Sequence, residues 1–246
     1  MPDRPPNFVL VPYEEARAPP PAKRIGLLER IRALIAGPGA AVADVPTRPR
    51  LVFGFDATAS REPAWAAART VTDALVRALP GQLDVALAVH GGSRLHTFTD
   101  FTSDARTLRD LAAGVICQAG MTRLLAILRA SLRKPGVRVV VYIGDVFEES
   151  LRSGQMLTDA MGLRGVRLIV LHDTSDPSAR RDAEIFGDLA RRTGGCVLPF
   201  DALAPDKLRD LLAAIATFAV GGTALLQEKR REMPGAVMLL EHLKGR

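Results

Sequence analysis

Two cysteines, Cys117 and Cys196, are all that the 246 residues contain, and they do not have the paired spacing of a metal knuckle. That argues against a disulfide framework and for reduced thiols in a cytoplasmic protein. Aromatic residues are also scarce, at 5%. A nucleic-acid surface usually interleaves them with a dense basic stripe, so nucleic-acid binding is not expected. The net charge of +6 sits mostly at the ends, with eight basic against five acidic residues in 1–50 and five against three in 221–246. The opening residues, MPDRPPNFVL, lack a basic region followed by an apolar core, so no secretory leader is expected. The longest apolar stretch, 211–226, is too short to span a bilayer and is interrupted by Gly221-Gly222. It reads as a buried helix ending at a glycine cap.

Proline, by contrast, is crowded at the front. Ten of the seventeen lie in residues 1–49, which rules out regular helix or central strand for much of that segment. Within it, Leu27, Leu28, Ile31, Leu34 and Ile35 recur at helical spacing. The resulting amphipathic helix can pack on its own domain, grip a partner or touch a membrane surface, and packing on the domain is favoured.

From residue 51 strand and helix patterns alternate. Strands are predicted at 51–56, 83–89, 94–99, 137–143, 166–171 and 196–200. Helices are predicted at 62–79, 104–113, 122–132, 148–163, 178–193 and 205–220. Gly91-Gly92-Ser93 turns the chain into the short 94–99 strand, expected to be an antiparallel edge. Such alternation predicts an α/β fold: a doubly wound, mainly parallel six-stranded sheet with helices on both faces. A proline-rich extension (1–49), the sheet domain (50–222) and a helical tail (223–246) are the expected divisions. The tail is expected to pack back on the domain, yet to be dispensable for its folding.

Two apolar strands end abruptly in acids. LVFGFDATAS brings Asp56, Thr58 and Ser60 to the mouth of the first, and VVVYIGDVFEES brings Asp145 to the mouth of another. Ligands bind where parallel strands end and the winding reverses. Carboxylates and hydroxyls there suit a hard cation such as Mg²⁺ or Mn²⁺. Thr122, in the glycine-containing loop CQAGMTRLL, can deliver a third hydroxyl.

This set resembles the von Willebrand factor type A domain and its metal-ion-dependent adhesion site. That family carries Asp-x-Ser-x-Ser after the first strand, a later loop threonine, and an aspartate after the fourth strand. Matched by position, the resemblance implies Asp56, Thr58, Ser60, Thr122 and Asp145 as metal ligands, with Thr58 in place of the first serine. It covers roughly residues 50–220, including TGGCVLPFD at 193–201, where such domains end their last strand. It further implies a Rossmann-like fold, no catalysis, and capture of a protein partner's Asp or Glu at the metal. Cytosolic bacterial proteins of this kind often work beside ATPases or in multi-protein stress systems.

Each residue also has a plainer reading. Asp56, Thr58 and Ser60 are good helix caps, as are Thr122 and Asp145. Glu148 and Glu149 fit the first turn of the next helix. His172 precedes a turn sequence and reads as structural, and the cysteines read as inert. Two other functions compete. One is a phosphotransferase resembling the haloacid dehalogenase group, with Asp56 as nucleophile, Thr122, Lys134 and Asp145. The other is a scaffold of the same fold whose metal site has degenerated. No phosphate loop, dinucleotide fingerprint or nucleophile elbow occurs.

Overall fold

A computed structural model describes residues 46–173, 177–200 and 204–244. The amphipathic segment at 23–35 lies outside them. Strand β1 (Arg50–Asp56) is followed by a 3₁₀ turn, Ala59–Arg61, and helices α1 (Glu62–Arg69) and α2 (Ala74–Arg77). Then come β2 (Asp84–Gly91), β3 (Arg94–Phe98), α3 (Ala105–Ala113), α4 (Leu124–Leu132) and β4 (Val137–Gly144). The chain continues through α5 (Leu151–Leu163), β5 (Arg167–Asp173), the 3₁₀ segment Pro177–Asp182 and α6 (Ala183–Arg192). It closes with β6 (Cys196–Phe200), α7 (Pro205–Lys229) and α8 (Pro234–Lys244).

The sheet order is β3-β2-β1-β4-β5-β6. Every pairing is parallel except β2 with β3, so β3 is the antiparallel edge that the Gly-Gly-Ser turn predicts. Strand periodicity sorts side chains onto two faces. Leu51, Phe53 and Phe55 of β1 join Val139, Val141 and Ile143 of β4 in one core with Trp65, Leu75, Leu108, Leu212 and Ile215. Val52, Val140 and Tyr142 point the other way, against Leu124, Ile127, Met161 and Phe186. Helices α1, α2, α3, α7 and α8 thus cover one face, and α4, α5 and α6 the other.

The ends of the helices differ from expectation where local chemistry intervenes. The span predicted at 62–79 divides into two helices. The helix predicted from 148 starts at Leu151, because the Ser150 side chain caps it by accepting from Ser153 N. The helix predicted from 178 begins as 3₁₀.

The expected glycine break of 205–220 is present as a kink. Gly222 has φ 65° and ψ −157°, a left-handed backbone that glycine tolerates, and the chain resumes as helix to Lys229. By length and composition α7 is apolar enough to cross a bilayer, yet half of its apolar window is buried inside the domain. The tail does pack back. Leu226, Ala236, Leu239, Leu240 and Leu243 are buried in the core that holds Phe53 and Trp65. The described residues fall in one unit, with no break at 222. Because the tail shares that core, a chain ending at 222 is expected to lose part of it.

Candidate functional site

Parallel pairing lines up the strand ends. Asp56 lies opposite His90, and Gly144 opposite His172, so the carboxyl ends of β2, β1, β4 and β5 bring these polar residues to one side of the sheet. Asp145 follows one residue later. The two acids named from the sequence therefore end neighbouring central strands, where the winding reverses.

Asp56 is fully buried. Its Oδ1 accepts from Thr58 N at 2.9 Å, while Oδ2 is buried with no hydrogen-bond partner among the described residues. Burial outweighs the Thr58 contact and, with Asp145 adding repulsion, pushes the Asp56 carboxyl up to about 6. A carboxyl in this condition either keeps its proton or is stabilised by a nearby cation. The Thr58 and Ser60 hydroxyl oxygens stand 3.4 Å apart, and Ser60 is exposed. Thr58 occupies the cap position of the 3₁₀ turn, yet its side chain caps nothing. Helix capping therefore does not account for this trio.

A pH dependence follows from the sign of the Asp56 shift. Its folded pKa is raised, so its stabilising contribution is full below the ordinary value of 3.8 and is lost as pH rises through about 6. In metal-free protein Asp56→Asn should flatten that part of the stability profile. Urea midpoints at pH 5 and pH 7.5 check it. Equal pH slopes for variant and wild type would show that Asp56 ionises without cost.

Asp145 is also no cap. Its Oδ1 accepts from Val146 N at 2.9 Å. Its Oδ2 lies 3.4 Å from Nη1 of Arg61, a buried arginine whose Nη2 donates to Asp173 Oδ2 at 2.7 Å. The guanidinium thus joins the turn after β1 to the ends of β4 and β5. The Nε2 of His172 is 2.9 Å from the Asp145 backbone oxygen, and its ring packs 5.1 Å from that of Phe186.

Thr122 is buried two residues before α4, and Arg123 occupies the cap position. The Thr122 N–H donates to Glu148 Oε2 at 2.8 Å, and its hydroxyl accepts from Glu148 N at 3.2 Å. Glu149 Oε2 accepts from Leu125 N at 2.8 Å. These acids therefore serve the front of α4, not the first turn of their own helix. The Thr122 loop also rests on the turn after β1 and on the β2–β3 turn. Gln118 N donates to Ala57 O at 2.8 Å, and Met121 N to Ser93 Oγ at 3.0 Å. A Cβ on Gly120 would stand 2.5 Å from Gly92 Cα, so no other residue permits this approach.

The sequence reading missed His90. It ends the apolar run of β2 and is fully buried. Burial, chiefly, lowers its pKa to about 3, so the imidazole is neutral. Nε2 is 2.8 Å from the Tyr142 hydroxyl, and Nδ1 is 3.7 Å from Asp56 Oδ1 without a hydrogen-bond partner among the described residues. Arg61, Asp173 and Glu148 were missed as site residues too. Both cysteines have pKa values raised to about 12, mainly by burial, in keeping with inert thiols. Lys134 stands in the turn before β4, at the opposite edge of the sheet from Asp145, with its ammonium 5.3 Å from the Phe98 ring centroid. It is not part of this site.

Among the described residues no group of three or more His, Cys, Asp or Glu could hold a metal ion; the donors at hand are an unpartnered buried carboxylate oxygen, two adjacent hydroxyls and a second acid on the neighbouring strand, the oxygen type that a hard divalent cation takes. Arg61 is its chief competitor for Asp145.

Among solved structures, the fold matches that of von Willebrand factor type A domains. A protein of that type from Catenulispora acidiphila is 13% identical with TM-score 0.53, covering 69% of this chain and 43% of its own. An aerotolerance-related membrane protein from Bacteroides fragilis, with multiple mutations to serine, is 18% identical with TM-score 0.51, covering 67% and 98%. Proximal thread matrix protein 1 from the mussel byssus, with zinc in its metal-ion-dependent adhesion motif, is 14% identical with TM-score 0.54, covering 71% and 47%. This chain thus spans less than half of the Catenulispora and mussel proteins. No family model and no curated protein matches it. The chain has the von Willebrand factor type A fold.

Proposed function

We propose that the chain is a cytoplasmic protein-interaction module that holds Mg²⁺ or Mn²⁺ at Asp56, Thr58 and Ser60, with Thr122 and Asp145 completing the site. The bound cation supplies an electron-poor centre with an exchangeable position, to which a partner's Asp or Glu carboxylate binds. The observation that carries this reading is Asp56 Oδ2, buried and unpartnered among the described residues. The zinc in the adhesion motif of the mussel protein supports it by analogy of fold. Binding is favoured over phosphotransfer because Lys134 lies at the far edge of the sheet. The turn after β1 also leads straight into helix.

Acetate can stand in for the partner carboxylate. Mn²⁺ should bind and enhance water-proton relaxation, and acetate should lower that enhancement by taking the water's place. Thr122→Ala should keep most Mn²⁺ affinity while weakening the acetate effect, and Asp56→Ala should abolish both. An acetate-insensitive signal from the wild type would contradict carboxylate capture.

The degenerate-site reading has one observation in its favour, the Arg61 fork on Asp145 and Asp173. In that case Arg61 supplies the positive charge and partner capture survives EDTA. In the metal-dependent case, EDTA abolishes capture.

A further inference from the structure

The edge of the sheet opposite Asp56 and Asp145, where β4, β5 and β6 begin, holds a cavity of about 360 Å³. Sites for small ligands commonly measure about 300–1,000 Å³. Its apolar wall is Val139 of β4, Phe218 and Ala219 of α7, and Leu243 of α8, all buried. Gly165 and Gly222 line it as well. A Cβ on either would meet nothing within 4 Å, so that side of the cavity stands open.

Two cations line the same cavity. Arg138 stands near the start of β4, and Arg167 opens β5 in register with Val139. Each has a plain structural task. Arg138 Nη1 donates to Val220 O at 3.3 Å, just before the kink in α7, and Arg167 Nη1 donates to Thr193 O at the end of α6. A cation suits a helix carboxyl end. That task engages one nitrogen of each guanidinium and leaves the rest of its donor fork. Neither arginine pairs with a carboxylate among the described residues. Two uncompensated guanidiniums beside one apolar wall favour a ligand that brings its own negative charge.

We propose that this cavity is a second binding site, which takes a small amphipathic carboxylate. The head group binds Arg138 and Arg167, whose planar forks match a carboxylate's two oxygens. The hydrocarbon lies against Phe218, Ala219 and Leu243. Because those residues belong to α7 and α8, the ligand braces the tail against the sheet. The site lies at the far edge from Asp56 and needs no cation there.

The test titrates the full chain with octanoate, and separately with octanol and acetate, while EDTA keeps the Asp56 edge free of cations. Backbone amide NMR locates the binding. Octanoate should shift Ala219, Gly222, Thr223 and Leu243 saturably and raise the melting temperature by mass action. Octanol lacks the charge and acetate the apolar body, so each should bind about tenfold or more weakly. This comparison uses the wild type alone and does not depend on a variant folding. Arg138→Gln keeps a donor for Val220 O while removing the exposed charge, and should weaken octanoate about tenfold. Octanol binding as tightly as octanoate would reduce the cavity to a plain apolar cleft and overturn the proposal. So would shifts confined to residues outside the cavity, or no saturable shift at millimolar octanoate. Octanoate affinity unchanged in folded Arg138→Gln would overturn the assigned head-group contact and the proposal with it.

Discussion

A chain that stops at Gly222 should lose cooperative unfolding, although the whole sheet lies before that point. The residues removed include Leu226, Leu239, Leu240 and Leu243, all at least 92% buried in the main core. Burying a leucine side chain contributes about 1.5–3 kcal/mol, so the four together contribute on the order of 6–12 kcal/mol. Domains of this size are stable by only about 5–15 kcal/mol. The loss also uncovers Ala216 and Ala219, which are buried in the same cluster. At Gly235 the backbone comes so near α7 that a Cβ would stand 2.4 Å from Asp210 O, which marks α8 as part of the packed body. Near-ultraviolet dichroism and urea unfolding of the truncated chain check this. A cooperative transition at the wild-type midpoint would show α8 to be ornamental.

Arg61→Met should destabilise the protein by about 3–5 kcal/mol, the usual cost of breaking a buried ion pair from one side. Arg61 is 5% exposed, and Asp173 is nearly as buried, so water cannot replace the guanidinium cheaply. Methionine keeps much of the stem's volume, which confines the loss to charge and hydrogen bonding. Adding Mg²⁺ should recover part of the loss, because a divalent ion near Asp145 restores positive charge there. Urea midpoints with and without Mg²⁺ measure both effects. A change below about 1 kcal/mol would mean that the pairs are as weak as exposed ones.

The sheet was legible because most of its strands are short, intensely apolar runs bounded by turn residues or by an acid. The placing of Asp56 and Asp145 on neighbouring central strands follows from runs that end in an acid, and the antiparallel edge from the Gly-Gly-Ser turn. The same signal was present at His90, where LDVALAVH ends in a titratable residue. It was missed because a strand-final histidine is ambiguous until its neighbour across the sheet is known. Arg61 was harder still, since nothing in ASREP says that the guanidinium turns inward toward two strands distant in sequence. Glu148 and Glu149 were assigned to their own helix because first-turn acids are favoured there. Ser150 took the cap instead and left both side chains to serve α4. The tail's apolar stripe at Val237, Leu240 and Leu243 was visible as well. Leu240 and Leu243 are buried, and Val237 is 45% exposed.

The central claim is that Asp56 anchors a divalent cation. Calorimetric titration of the purified full chain with Mg²⁺ and Mn²⁺, beside Asp56→Ala, tests it most directly. The account predicts saturable binding by the wild type at one site, with a matching rise in melting temperature by mass action, and neither effect in the variant. Heats of dilution alone at millimolar metal, or identical binding by Asp56→Ala, would contradict it.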